Sequence, residues 1–400
     1  MLKPILLACA LGLTTLPAAA QTASDEARRI ARDAIIVDTH IDAPGILGDA
    51  WADLGVAAPD REFDYPRARE GGLDVAWMSI YTSPREDDAG TARQSAHMQI
   101  DSVEALVQRH PEKFAILTSP RDVGRLRAGG RVLLPLGMEN GAPLGDDLSQ
   151  VQAFFDRGVR YITLAHSVAN RLADSSYGVE RKWDGLSDFG RDVVAEMNRL
   201  GIIVDVSHIS DGAAAQAIAL SSAPVIASHS AFRHFTPGFE RNISDELAKA
   251  VAATGGVVQI PFGTAFVNPQ AAANLQAKFR ARAELDRRNA ALAAAGQPIE
   301  DRDAFNRAWD EAHPTPATPI DAVLDQIDHG VALIGIDHVG IGSDFDGVGG
   351  ELADGLRSVA DFPNLIEGLL QRGYDEAGIR KILGGNLLRV WRDVEDAAAR

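Results

Sequence analysis

What most narrows the fold of this chain is a repeated pattern. Eight short apolar runs, at residues 35–41, 73–81, 131–138, 159–165, 202–206, 224–228, 256–261 and 339–343, alternate with segments of helical periodicity. The run at 73–81 is almost continuously apolar, as a strand buried on both faces must be. Strands covered on both sides by intervening helices pair in parallel, and eight such units close into an α/β fold of the (β/α)8 TIM-type barrel. An open doubly wound sheet is the alternative, but the glycine-rich phosphate loop it calls for is missing after the first run. A length of 400 residues suits one barrel of about 250 residues with insertions, and 46% hydrophobic residues suffice for its core.

The ends of the runs carry the chemistry. The first reads Val37-Asp38-Thr39-His40-Ile41-Asp42, and residues two apart on a strand face the same way, so His40 and Asp42 project together. The third run delivers Glu139, the fourth His166, the fifth His208, the sixth His229 and the eighth Asp344. Any one of these alone reads as a turn residue or a satisfied core histidine. Together they lie at strand C-termini, the face on which barrel enzymes keep their active sites.

Three imidazoles and two carboxylates, His40, Asp42, Glu139, His208 and His229, suit two zinc ions about 3.5–4 Å apart with one carboxylate between them. Glu139 is the expected bridge. The lysines (Lys3, Lys113, Lys182, Lys249, Lys278, Lys381) do not close a barrel strand, so a carboxylated lysine is not expected in that role. His97, His110, His313, His329 and His338 fall on helices, in the insertion or on the wrong face, and His234, just beyond the sixth run, is left ambiguous.

These stretches, with Gly137-Met138-Glu139-Asn140, Leu164-Ala165-His166-Ser167, Val204-Asp205-Val206-Ser207-His208, Ala227-Ser228-His229-Ser230, Arg241-Asn242 and the segment from Ile327-Asp328-His329 through Ile341-Gly342-Ser343-Asp344-Phe345-Asp346-Gly347, resemble the membrane (renal) dipeptidase family of dizinc peptidases. The resemblance covers most of residues 30–395. It implies that His40, Asp42 and Glu139 hold one zinc, and Glu139, His208 and His229 the other. It further implies that His166 stabilises the oxyanion, that Arg241 (or Arg233) grips the substrate's C-terminal carboxylate, and that Asp344 serves the free amino group and the proton. The implied activity is hydrolysis of dipeptides by a metal-bridging hydroxide, with a D-residue accepted at the C-terminal position. Family members often form homodimers. The rivals are an amidohydrolase of N-acyl amino acids or lactones on the same site, and a periplasmic solute-binding protein built of two metal-free doubly wound lobes.

Residues 1–20 read as a secretory signal: Lys3, an apolar core at 5–13, then Leu16-Pro17-Ala18-Ala19-Ala20. The core is too short to span a bilayer. Cleavage after Ala20 and export to a periplasm are expected, with residues 21–400 forming one barrel domain and no stable membrane insertion. Cys9 is the only cysteine, so the mature chain has no disulfides. It sits in a lipobox-like Leu6-Leu7-Ala8-Cys9 but would divide the apolar core, so lipid anchoring is not expected. Net charge of −17 argues against nucleic acid or an anionic membrane as a partner and says nothing about a small substrate, which the resemblance alone implies to be a dipeptide. Residues 268–318, rich in Ala, Arg and Gln, interrupt the pattern and read as a helical insertion, a solvated decoration that can also wall the cleft.

Overall fold

The first strand, β1 (Ile36–Ile41), is buried at every position, and β2 (Leu73–Tyr81) at every position but the last, as strands lying between a barrel interior and a helical coat must be. A computed structural model describes residues 23–398; the expected signal segment lies outside them. Eight further strands follow: β3 (Phe114–Ile116), β4 (Val132–Leu134), β5 (Leu136–Glu139), β6 (Val159–Thr163), β7 (Ile203–Asp205), β8 (Ile226–Ala227), β9 (Val257–Ile260) and β10 (Val339–Ile341). Every pairing between them is parallel.

The barrel runs β1-β2-β5-β6-β7-β8-β9-β10. It closes where Ile41 bridges Phe345, where the Asp344 amide donates to the His40 carbonyl (3.1 Å) and the Asp42 amide to the Phe345 carbonyl (2.9 Å). The buried Asp38 carboxylate accepts from the Ser343 amide at 2.9 Å, tying the last strand to the first from the side-chain level. The closed barrel removes both the open-sheet alternative and the two-lobed rival.

The third run is split. Pro135 lacks the amide a continuous strand needs, so the chain passes from β4, which pairs with β3 outside the barrel, to β5, which pairs with β2 inside it. Gly45 and Gly48, with Pro59 further on, suggest a loop after the first strand; the chain there instead forms the helix Ala43–Asp49 with Pro44 in its first turn, where the missing amide costs nothing. The insertion is two helices, Pro269–Ala294 and Arg302–Ala312, each N-capped by a side chain, Asn268 and Asp301.

Two buried clusters divide the core. The larger fills the space between strands and helices. The smaller gathers Val37, Val75, Trp77, Tyr161, Ile203 and Val257 with Leu387, Val390 and Trp391 of the final helix, Asn386–Ala398. Trp77 stacks on Tyr161 with ring centroids 5.0 Å apart, and this aromatic layer is the floor beneath the barrel mouth.

Candidate active site

Each singled-out side chain leaves the sheet at or just past a strand's C-terminal end. Glu139 is the last residue of β5; His166 and His208 stand three residues past β6 and β7, His229 two past β8, Asp344 three past β10. Backbone conformation aims two of them. His208 (φ 67°) and Asp344 (φ 68°) adopt the left-handed region, which non-glycine residues enter at a cost and chiefly where a site requires it. Asp42 is not extended, contrary to the strand reading. It caps the helix Ala43–Asp49 at φ −88°, ψ 15°, and from there its Oδ2 still comes to 3.4 Å from His40 Nε2.

The Glu139 carboxylate is the centre. Its Oε2 lies 3.4 Å from His40 Nε2, and its Oε1 lies 3.0 Å from His208 Nε2, 3.3 Å from His229 Nε2 and 3.5 Å from His166 Nε2. Ser79 Oγ donates to Oε2 at 3.1 Å. His208 Nε2 and His229 Nε2 approach to 2.7 Å, and the His40 and His229 rings stack at 3.7 Å. Asp344 joins His40 and Asp42 in a second group whose ligand atoms lie within 4.8 Å of one another.

The outer faces of two imidazoles are already engaged. His229 Nδ1 lies 2.7 Å from Ser228 Oγ, which donates at 2.6 Å to Asp205 Oδ2; Asp205 Oδ1 in turn accepts from the Ser207 and Ser228 amides. His40 Nδ1 lies 2.9 Å from the Tyr161 hydroxyl, which donates to the Thr39 carbonyl at 3.1 Å. Each Nδ1 therefore serves as the donor, and each Nε2 lone pair is turned to the centre, the arrangement of metal-ligating histidines. His40 Nε2 is fully buried and has no hydrogen-bond partner. A buried nitrogen left bare beside two carboxylates fits a cation, and the N/O donor set fits divalent zinc.

The charges agree. Burial alone would raise Glu139, but His40 and then His166 hold it well below the ordinary carboxylate range. Burial pulls His40 down, yet the oxygens of Tyr161, Glu139 and Asp42 outweigh it and push it well above its usual value. Burial lowers His208, His229 and His166. Burial and the neighbouring Asp42 raise Asp344 far above the usual carboxylate range. The cluster thus calls for positive charge at its centre, with three neutral imidazoles around it.

Of the two arginines considered, only Arg241 reaches the centre. It is 2% exposed; its Nη2 donates to the His229 carbonyl and His208 Nε2, each at 2.9 Å, and its Nη1 to Ser230 Oγ at 3.0 Å. Arg233 is spent on Asp211, with both terminal nitrogens at 2.6 and 2.7 Å from its carboxylate. His234 lies outside the cluster, stacked on His329 at 4.3 Å beside Asp245. The engaged outer partners Tyr161, Ser79 and Ser228 escape sequence reasoning, because such residues in or beside strands carry no mark of what they touch. Asp38 and Asp205 had one signal, an acid inside an apolar run.

Above the cluster is a cavity of about 830 Å³ whose walls include Asp42, Tyr81, Glu139, His166, Tyr177 and Asp344. The Tyr81 ring packs on His166 at 4.6 Å and limits its swing.

Residues 24–400 match the family model of membrane dipeptidase, peptidase family M19. Dipeptidase tcpJ of Claviceps purpurea (strain 20.1) is 32% identical over 343 residues, covering 84% of this chain and 70% of that protein. The probable dipeptidase PvdM from Pseudomonas aeruginosa superposes with a TM-score of 0.80 at 30% identity, covering 93% of this chain and 98% of its own. A metallo peptidase from Rhodobacter sphaeroides, solved with a phosphinate mimic of the dipeptide L-Ala-D-Ala, shares the fold at a TM-score of 0.73 and 24% identity over 90% of this chain and 100% of that one. A parallel barrel, a mouth lined with metal-type ligands and a likeness that runs the length of the described chain lead to one conclusion: the protein is a metallo-dipeptidase and belongs to the membrane dipeptidase family.

Proposed function

We propose that this chain is an exported dizinc dipeptidase that accepts a D-residue at the C-terminal position of its substrate. The observation that carries the reading is the meeting of His40, His208 and His229 Nε2 atoms on the two oxygens of one carboxylate, Glu139. His40, Asp42 and Glu139 would hold one zinc, and Glu139, His208 and His229 the other. When bound, such a pair supplies Lewis acidity and brings water in its reach to an effective pKa near neutrality.

The remaining work falls to side chains of the chain itself. His166, kept neutral by burial, donates from its ring to the scissile carbonyl oxygen as negative charge develops there. Arg241 receives the substrate's C-terminal carboxylate, a task for a forked and always charged donor. Asp344 faces the free amino group and, with a carboxyl raised by burial and by Asp42, passes a proton to the departing amine. Holding both termini restricts the substrate to two residues. The ligand of the Rhodobacter neighbour, a mimic of L-Ala-D-Ala, is a reason to test D-residues, and peptidoglycan-derived dipeptides are the substrate class in view.

The test is metal analysis coupled to a panel of L,L- and L,D-dipeptides, N-acyl amino acids and lactones, before and after chelation. About two zinc per chain and dipeptide hydrolysis that chelation abolishes are expected; activity surviving complete metal removal overturns the mechanism. Arg241→Ala should chiefly weaken binding of the free carboxylate and so raise KM for dipeptides. If that variant equals the parent on dipeptides, Arg241 has another role. Export predicts that protein from the periplasmic fraction begins at Gln21, and homodimerisation that light scattering gives twice the chain mass.

A further inference from the structure

The site cavity does not end at the metal cluster. A second cavity, of about 720 Å³, meets it along Tyr81, Ser83, Arg85 and Tyr177 and begins at Ser167, one residue past His166. The first cavity already falls within the ~300–1,000 Å³ range that accommodates a whole small ligand. The second is therefore room beyond the two residues being cleaved.

Its far wall is the insertion. Phe279, on the helix Pro269–Ala294, stacks nearly flat on Tyr177, with centroids 4.2 Å apart and planes at 17°. One turn on, the Arg282 guanidinium lies over the Phe279 ring at 5.3 Å. Arg282 Nε and Nη2 both donate to the same neutral acceptor, Asn306 Oδ1, at 3.2 and 2.9 Å. Of the other cations lining the cavity, Arg302 is engaged with Asp286 and Arg85 with Asp303, each at 3.2 Å, and Arg287 stands exposed to solvent, where an ion pair gains little. Arg282 is half-buried and held by an amide alone. Val168 and Val179, 45% and 58% exposed, add apolar surface to the same cavity. Asp88 and Glu180 also line it, so selectivity falls to Arg282 rather than to a broad positive field.

We infer that this annex is a side-chain subsite that favours dipeptides bearing a long side chain with a terminal carboxylate, the apolar stem lying on Phe279 and Val168 and the carboxylate taken by Arg282. A half-buried guanidinium on an aromatic ring, hydrogen-bonded only to an amide, gains a charge-assisted pair when an anion arrives. The inference rests on the dipeptide being held at the cluster as proposed above.

The experiment compares kcat/KM for acid and amide isosteres, glutamate against glutamine, with α-aminoadipate as a longer acid, placed in turn at the N- and C-terminal positions of alanine dipeptides. The protein should prefer the acid over its amide by about 10-fold at one position. Arg282→Met should erase that preference while hydrolysis of L-Ala-L-Ala stays within about twofold. Asn306→Asp keeps the arginine but gives it a carboxylate of its own, and should erase the preference as well. Equal rates for acid and amide in the parent, or a preference that survives both substitutions, overturn the annex. Equilibrium dialysis of the same dipeptides separates the two readings. Failure to hydrolyse any dipeptide would count against the proposed mechanism alone. Equal binding of acid and amide would count against the annex alone.

Discussion

At the residue scale, the cluster depends on partners that never touch the substrate. Ser228 illustrates this. With its hydroxyl donating to Asp205, its oxygen accepts from His229 Nδ1, fixing which imidazole nitrogen faces Glu139. Ser228→Ala leaves that N–H without an acceptor and frees the ring's tautomer. Zinc affinity, measured by competition with a chelating dye, should fall about 10–100-fold with little change in fold; an unchanged affinity would mean that His229 is not a ligand. His40, Glu139, His208 and His229 could be picked out because histidine and glutamate at or just past the ends of apolar runs are conspicuous. Ser228, Tyr161 and Ser79 could not, because their importance lies in a contact across strands.

At the scale of elements, the barrel interior is set by where side chains are absent. A Cβ on Gly137 of β5 would come within 2.0 Å of the Tyr161 ring, so only glycine lets that tyrosine cross from β6 to reach His40. Gly137→Ala should destabilise by about 1–3 kcal/mol in a denaturant melt and displace Tyr161, so metal affinity should fall with it. If stability and affinity are both unchanged, the tyrosine does not need that space.

A second element-scale contact joins the segment after β10 to the loop before the helix Tyr65–Gly71. Asp346 Oδ1 accepts from the Glu62 amide at 2.8 Å, and the Asp346 amide donates back to the Glu62 carboxylate. Burial, reinforced by the charge of Asp346, pushes Glu62 up to about 7 from 4.5. Between these values the folded chain binds more protons than the unfolded one, so stability drawn from Glu62 is full below pH 4.5 and is lost as pH rises through 7. Glu62→Gln cannot ionise, so its Tm relative to the parent should rise between pH 5 and pH 8. A difference that stays constant over that interval would place Glu62 in water.

On the scale of the whole molecule, closure brings His40 at one end of the sequence against Asp344 near the other, and metal should couple to that closure. A ligand that binds only the folded state stabilises it in proportion to the logarithm of its saturation, about 4 kcal/mol at a thousandfold excess over Kd. For a chain of this size, chelation should lower Tm by roughly 5 °C, and zinc should restore it. No shift on chelation would separate the cluster from any structural role of the metal.

By itself the sequence determined the barrel class, the strand ends and the candidate ligands, because burial on two faces and the alternation with helices are local patterns that survive in one dimension. The break at Pro135 and the helix at Ala43–Asp49 were obscured because proline and glycine serve loops and first turns alike. Only the tertiary structure decided that Arg241 rather than Arg233 faces the cluster, since Asp211 claims Arg233 through space. Of the two roles open to the insertion, solvated decoration or cleft wall, it selected the wall, carrying Phe279 and Arg282. Those outcomes depend on distances between residues remote in the chain, which no local pattern encodes.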